Sequence, residues 1–208
     1  MHYFLSESRT KLYWILQGLQ ITRSATAPLV EWCYNPRVQK PDESPSFKKR
    51  WSDLVMNTIR EEKIRHVFLV ARWSNYENED FARQLIQTLE EIRSLDSSIS
   101  VYVVSDVPEQ VGDVPRRLAL STKWTSRTVT PRTSDEHSAQ TEWFSKILDK
   151  VGSREGVLVL EPAFLVLKWS SLALDGVPLY VDGHHLSSKG ALELKPIFEP
   201  VFLKMEKK

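Results

Sequence analysis

The chain holds a single cysteine, Cys33, which excludes an internal disulfide and a cysteine-ligated metal cluster. Glycine is scarce as well, at seven residues, and no glycine-rich segment follows any apolar run. A nucleotide-binding doubly wound domain, which cradles phosphate on such a loop, is therefore not indicated. No apolar run reaches the length of about 18 residues that a membrane span needs. The opening, Met1-His2-Tyr3-Phe4-Leu5-Ser6-Glu7, has neither the basic nor the apolar region of a signal peptide. The chain is expected to be either cytosolic or a piece of something longer. Excess charge is missing too: a formal net charge of +1 gives no general attraction to nucleic acid or to an anionic membrane. Internal repeats and low-complexity tracts are absent. What is present, 41% apolar and 26% charged residues, is the composition of a soluble globular protein. The 208 residues suit one domain, 1–208, able to bury its own core.

Apolar runs rich in β-branched and aromatic residues predict strands at 66–71, 100–105, 156–160 and 178–181, with a weaker, partly polar one at 19–23. Near-continuous hydrophobicity points to burial on both faces, as in a parallel sheet. Between them lie helical stripes. Phe47, Trp51, Leu54, Val55 and Ile59 share one face of 47–63, begun by Ser44-Pro45. Phe81, Leu85, Leu89, Ile92 and Leu95 make a second stripe; Trp143, Phe144, Ile147, Leu148 and Val151 make a third. Ser187 is placed to cap a last helix carrying Ala191, Leu194, Ile197 and Phe198, which Pro196 should kink or interrupt. Residues 35–46 and 125–138 read as surface loops. This alternation predicts an α/β fold, a three-layer sandwich around a mainly parallel central sheet with right-handed crossovers. Functional groups then collect beyond the carboxyl ends of the strands, in loops 72–79, 106–115 and 182–187.

In the last of these loops Asp182 precedes His185 by three residues. In a turn entering a helix, that spacing lets a carboxylate reach the imidazole Nδ1 proton and support the imidazolium formed when Nε2 takes a proton. The same spacing also suits a turn aspartate with a histidine at a helix start. Other groups carry less. Lys48-Lys49-Arg50 reads as a solvated helix face, and His137 has no metal-ligand partners at useful spacing. Trp51 and Trp143 fall on core stripes, while Trp32, Trp73, Trp124 and Trp169 are placed where a carbohydrate cleft would want them.

Residues 179–191, with Tyr180, Asp182, His185-Leu186-Ser187 and Gly190-Ala191, resemble the final motif of the SGNH (GDSL-like) esterases. They are most similar to the SGNH domain fused behind acyltransferase-3 membrane domains in envelope O-acetyltransferases of bacteria. Residues 67–76, with Arg72-Trp73 and Tyr76, resemble that family's second strand end; Val107-Pro108-Glu109 and Asp113-Val114-Pro115 resemble its next loop; Ile21–Leu29 resembles the segment of its Cys-Pro-Pro turn. The resemblance implies an SGNH/flavodoxin-like fold and a Ser-His-Asp triad in which Asp182 orients and His185 acts as general base; His184 matches no role. It implies no metal and no cofactor, an acylated carbohydrate or acyl donor as partner together with an acyltransferase-3 membrane domain, no nucleic acid, and the periplasmic side of the inner membrane.

The chain departs from that pattern in three ways. Thr26 stands where many members carry a cysteine. The Gly-x-Asn-Asp oxyanion block is missing, leaving Asn75 or backbone N–H groups around Trp73 as the nearest substitutes. Arg72 and Trp73 read equally as a pocket pair or as a buried aromatic with a paired arginine. No Gly-Asp-Ser occurs anywhere. Either Met1–Leu5 is the first strand and Ser8 the nucleophile, within a degenerate Ser6-Glu7-Ser8-Arg9 copy, or the nucleophile lies upstream of Met1. The length between that end and the Ala25-Thr26-Ala27-Pro28 turn favours the second. The expected function is a serine esterase or O-acyltransferase acting on acetyl esters of envelope carbohydrate. The alternative is an inactive fragment or pseudoenzyme that binds glycan without turnover.

Overall fold

A computed structural model describes residues 13–16, 45–76, 79–124 and 129–206 of the chain. Its four-stranded sheet runs in the order β1 (Tyr13–Leu16), β2 (His66–Val70), β3 (Ser100–Val104), β4 (Val157–Leu160), and every pair is parallel. Helices α1 (Pro45–Glu61), α2 (Phe81–Leu95), α3 (Val114–Trp124) and α4 (Ser134–Gly152) are interleaved with the strands. After β4 come a short helix α5 (Ala163–Val166), a two-residue hairpin β5 (Ala173–Leu174) and β6 (Val177–Pro178), and then α6 (Ser188–Leu192) and α7 (Lys195–Glu206).

The two-residue period of the strands sorts their side chains into two cores. Val67, Leu69, Val101 and Val103 pack with Val55 and Ile59 of α1, Phe81, Leu85, Leu89 and Ile92 of α2, and Phe144, Ile147, Leu148 and Val151 of α4. The residues between them, Phe68, Tyr102 and Val104, turn to the other face with Leu160, where Val201 and Met205 of α7 cover them. Helices on both faces of one parallel sheet make the expected three-layer α/β sandwich. The stripes on α2 and α4 face the core as read, with Leu95 and Trp143 at their edges only partly buried, whereas Leu54, counted on the α1 stripe, is half exposed.

Three expectations are corrected. Residues 178–181 do not extend the sheet. Pro178 has no N–H to give a ladder, and Leu179 and Tyr180 are buried in a separate third cluster with Val114, Val166, Leu172 and Leu194. Second, 125–138 is not all loop, because α4 begins at Ser134. Thr133 accepts the Glu136 N–H while Glu136 reaches back to the Thr133 N–H, a capping box. Third, loop 106–115 ends early: Asp113 accepts the Arg116 N–H at 2.7 Å at the start of α3. The weaker strand at 19–23, along with Ser8, Thr26, Trp32 and Cys33, lies outside the described residues.

Candidate active site

Although it follows no strand of the sheet, the Asp182–His185 turn still reaches the carboxyl-end loops. The Gln110 N–H, in the loop after β3, donates to Gly183 O at 2.6 Å, and the Val114 N–H donates to Asp182 O at 3.3 Å. The turn is closed beneath by an antiparallel bridge between Tyr180 and Leu186 and by the Val181 N–H donating to His185 O. Ser187 ends it as the N-cap of α6, its Oγ accepting the Gly190 N–H at 3.1 Å and donating to Pro178 O at 2.7 Å.

Within this frame the His185 Nδ1–H donates to Asp182 Oδ2 at 2.6 Å. Asp182 Oδ1 accepts the backbone N–H groups of His184 and His185, each at 2.7 Å. Partial burial would raise the Asp182 pKa, but the His185 ring and the two N–H donors outweigh it and hold the carboxyl at about 2. Asp182 is therefore ionised at any ordinary pH, and it fixes the tautomer that leaves Nε2 unprotonated. The His185 side chain is 65% exposed, so Nε2 is open to an incoming proton. Among the described residues no serine hydroxyl bonds that ring.

The second group of expected residues is arranged differently. Trp73 is 2% exposed, its ring stacked on Phe144 at 5.3 Å and its Nε1–H given to Val104 O at 2.6 Å. It is a core residue rather than a cleft wall. Its backbone N–H cannot serve an oxyanion either, because Asp106 takes it at 2.7 Å and takes the Ser74 N–H at 2.8 Å. The Asn75 N–H goes to Arg72 O at 3.2 Å, so of the expected oxyanion donors the exposed Asn75 carboxamide is what is left. Arg72 forms an ion pair with Glu109, which also accepts from Gln140 at 2.8 Å. The buried aromatic with a paired arginine is thus the arrangement found. Trp169 is half-buried with its ring edge-on to Tyr180 at 6.3 Å.

Sequence reasoning passed over Asp106 and Gln110 and weighed His137 only as a metal ligand, yet all three are buried. Asp106 had a signal, since an acid directly after a β-branched run sits at the carboxyl end of a strand. Gln110 and His137 had none, because only the packing of α4 and Tyr180 against the loop makes them interior.

Residues 15–200 match the family described as the SGNH domain fused to AT3 domains. The chain belongs to that family. The SGNH domain matches no curated protein. Among solved structures it is similar to the periplasmic domain of a lipopolysaccharide acetyltransferase from Salmonella ser. Paratyphi A, at 16% identity and a TM-score of 0.56. The match covers 73% of this chain and 61% of that one, so the chain spans about three fifths of the solved domain. This likeness extends the fold assignment.

In the SGNH domain Asp182, His184 and His185 also bring one ligand atom each within 4.8 Å of one another, a span that would admit a metal ion. Their present bonding is that of an acid–base pair: both Asp182 oxygens are engaged by the turn, and His184 Nδ1 stays 3.6 Å from the carboxylate with its ring against His185 at 4.1 Å. What the arrangement can do chemically is accept a proton at Nε2 and return it.

Proposed function

We propose that this SGNH domain is a serine-dependent esterase or O-acyltransferase, with acetyl esters of bacterial cell-envelope carbohydrate as its substrates. The observation that carries the reading is the 2.6 Å bond from His185 Nδ1 to an Asp182 carboxylate held ionised, in a chain of this family. His185 Nε2 takes the proton of a serine hydroxyl as Oγ attacks the acyl carbonyl, and Asp182 balances the imidazolium. Collapse of the tetrahedral intermediate sends that proton to the leaving alkoxide and leaves an acyl-serine. A sugar hydroxyl then attacks in the transferase, or water in the esterase, again losing its proton to Nε2. The length before the Ala25-Thr26-Ala27-Pro28 turn favours a Gly-Asp-Ser block upstream of Met1 as the source of the serine, and Ser8 is the other candidate. The family's fusion to AT3 domains supports a membrane acyltransferase as the supplier of acyl groups, and the periplasmic side is the placement that the family resemblance implies.

Hydrolysis of p-nitrophenyl acetate tests the reading. His185→Ala is expected to lose about 10²–10⁴-fold in kcat/KM, the usual contribution of a general base. Ser8→Ala should match that loss if Ser8 is the nucleophile. Equal turnover by wild type and His185→Ala removes the catalytic role of His185.

A further inference from the structure

An exposed histidine–carboxylate contact competes with water and with side-chain rotation, and left to itself it would be held poorly. This one is gripped from behind. The Gln110 N–H and the Val114 N–H bond the two carbonyls at the head of the turn, Gly183 O and Asp182 O. The fit is close: a Cβ on Gly183 would lie 2.7 Å from Gly112 O and 3.1 Å from Gln110 O, both backbone atoms that cannot swing aside. The gripping loop is itself pinned by buried side chains. Gln110, 5% exposed, accepts the Arg132 N–H through Oε1 at 2.9 Å and donates through Nε2 to Pro108 O at 3.1 Å and to the Tyr180 hydroxyl at 3.4 Å. Tyr180 is fully buried and donates its hydroxyl to Pro108 O at 2.6 Å. Burial pushes that hydroxyl's pKa to about 12, so it stays a donor through the neutral range.

Tyr180 therefore does two things at once. Its backbone pairs with Leu186 to close the turn, and its side chain fixes the loop that closes on the turn from the other side. We infer that Gly183, Gln110 and Tyr180 are positioning residues that hold the Asp182–His185 hydrogen bond in register; the inference rests on the acyl-transfer reading of that pair. Displacing a catalytic group by about 1 Å can cost about 100-fold in rate, so even a small loosening of this clamp should be felt.

The test reads the hydrogen bond directly and needs no turnover. In the full chain, the His185 Nδ1 proton bonded to a carboxylate gives a downfield proton NMR signal, assigned by its loss in Asp182→Asn. Gly183→Ala is expected to abolish it with circular dichroism unchanged, and Tyr180→Phe to speed its solvent exchange about tenfold. Tyr102→Phe removes another buried hydroxyl, one 3.2 Å from His66 Nδ1 and outside the site, and should leave the signal alone. Should Gly183→Ala fail to fold, Gln110→Ala takes its place beside Tyr180→Phe, with the same expected direction. If these variants keep the wild-type shift and exchange rate, the inference is overturned. It is also overturned if Tyr102→Phe perturbs the signal as much as Tyr180→Phe, since the effect would then be general destabilisation. Failure of the acyl-transfer reading shows elsewhere, as ester turnover indifferent to His185→Ala. Where turnover exists, Tyr180→Phe should lower kcat about 10-fold with KM unchanged.

Discussion

His137 sits on α4 with its Nδ1 buried and without a hydrogen-bond partner. Burial lowers its pKa, the Asp106 carboxylate raises it, and Arg132 lowers it further, with the balance below the ordinary value. Asp106 is pushed the other way by burial, which the Ser74 and Trp73 N–H groups offset only in part. The pH consequence follows from proton counting. Below about pH 6.5 the unfolded chain protonates His137 while the folded chain resists, so the unfolded state binds more protons and stability falls with falling pH. His137→Phe removes that contribution. Urea unfolding at pH 7.5 and 5.5 should show a larger loss on acidification in the wild type than in His137→Phe. An equal loss in both would mean that His137 titrates as it does in the unfolded chain. Asp106, after β3, accepts the Trp73 and Ser74 N–H groups after β2, so the loops beyond two neighbouring strands share an anchor.

At the scale of elements, caps decide where helices begin, and α6 shows what one is worth. Ser187 Oγ both accepts the Gly190 N–H and donates to Pro178 O, and a Cβ at Gly190 would collide with Leu179 O, so α6 is seated tightly on the segment that precedes the turn. Ser187→Ala is expected to cost about 1 kcal/mol for the cap, with a further increment from the unpaired Pro178 carbonyl, measured as a lower urea midpoint at unchanged m-value. No change in midpoint would show that water replaces both bonds. That cap was legible in the sequence, as were α2 and α4, because an apolar stripe that keeps a 3.6-residue period over more than two turns fits neither a strand nor a loop. Strands β2, β3 and β4 were legible for a related reason, since β-branched runs between such helices belong in a parallel sheet. The run 178–181 misled because burial of Leu179 and Tyr180 in a local cluster writes the same apolar letters as burial in a sheet. Only Pro178 argued against it. Helix α4 was cut short despite the Thr133-to-Glu136 spacing, and β1 was not anticipated because Tyr13–Leu16 is four residues of apolar sequence without flanking turn signals. Of the candidate site, the Asp182–His185 contact could be read because carboxylate and imidazole lie three residues apart in one turn. The clamp of Gln110 and Tyr180 could not, since its members are 70 residues apart and meet only through the fold.

Across the whole molecule the sheet separates two layers of unequal strength. One face is covered by α1, α2 and α4 together. Among the described residues the other is covered by α7 alone, through Ile197, Phe198, Val201, Phe202 and Met205. Phe68 is the centre of that weaker layer: it is fully buried, stacks on Tyr102 at 4.5 Å and meets Phe198 and Phe202 at 6.5 and 6.0 Å. Phe68→Ala is expected to cost about 3–5 kcal/mol, because close-packed neighbours refill such a void only partly. The loss should not be shared evenly. With its main contact gone, α7 can open locally while α2 and α4 remain packed on the opposite face, so amide exchange should accelerate more across 195–206 than across 81–95. A uniform acceleration of both segments would show instead that the two layers unfold as one unit. The unequal outcome would also bear on the site. The α6 segment joins α7 to the Asp182–His185 turn, yet the turn's own clamps run to the loop after β3, so the His185 Nδ1 proton signal should persist in Phe68→Ala even as α7 loosens.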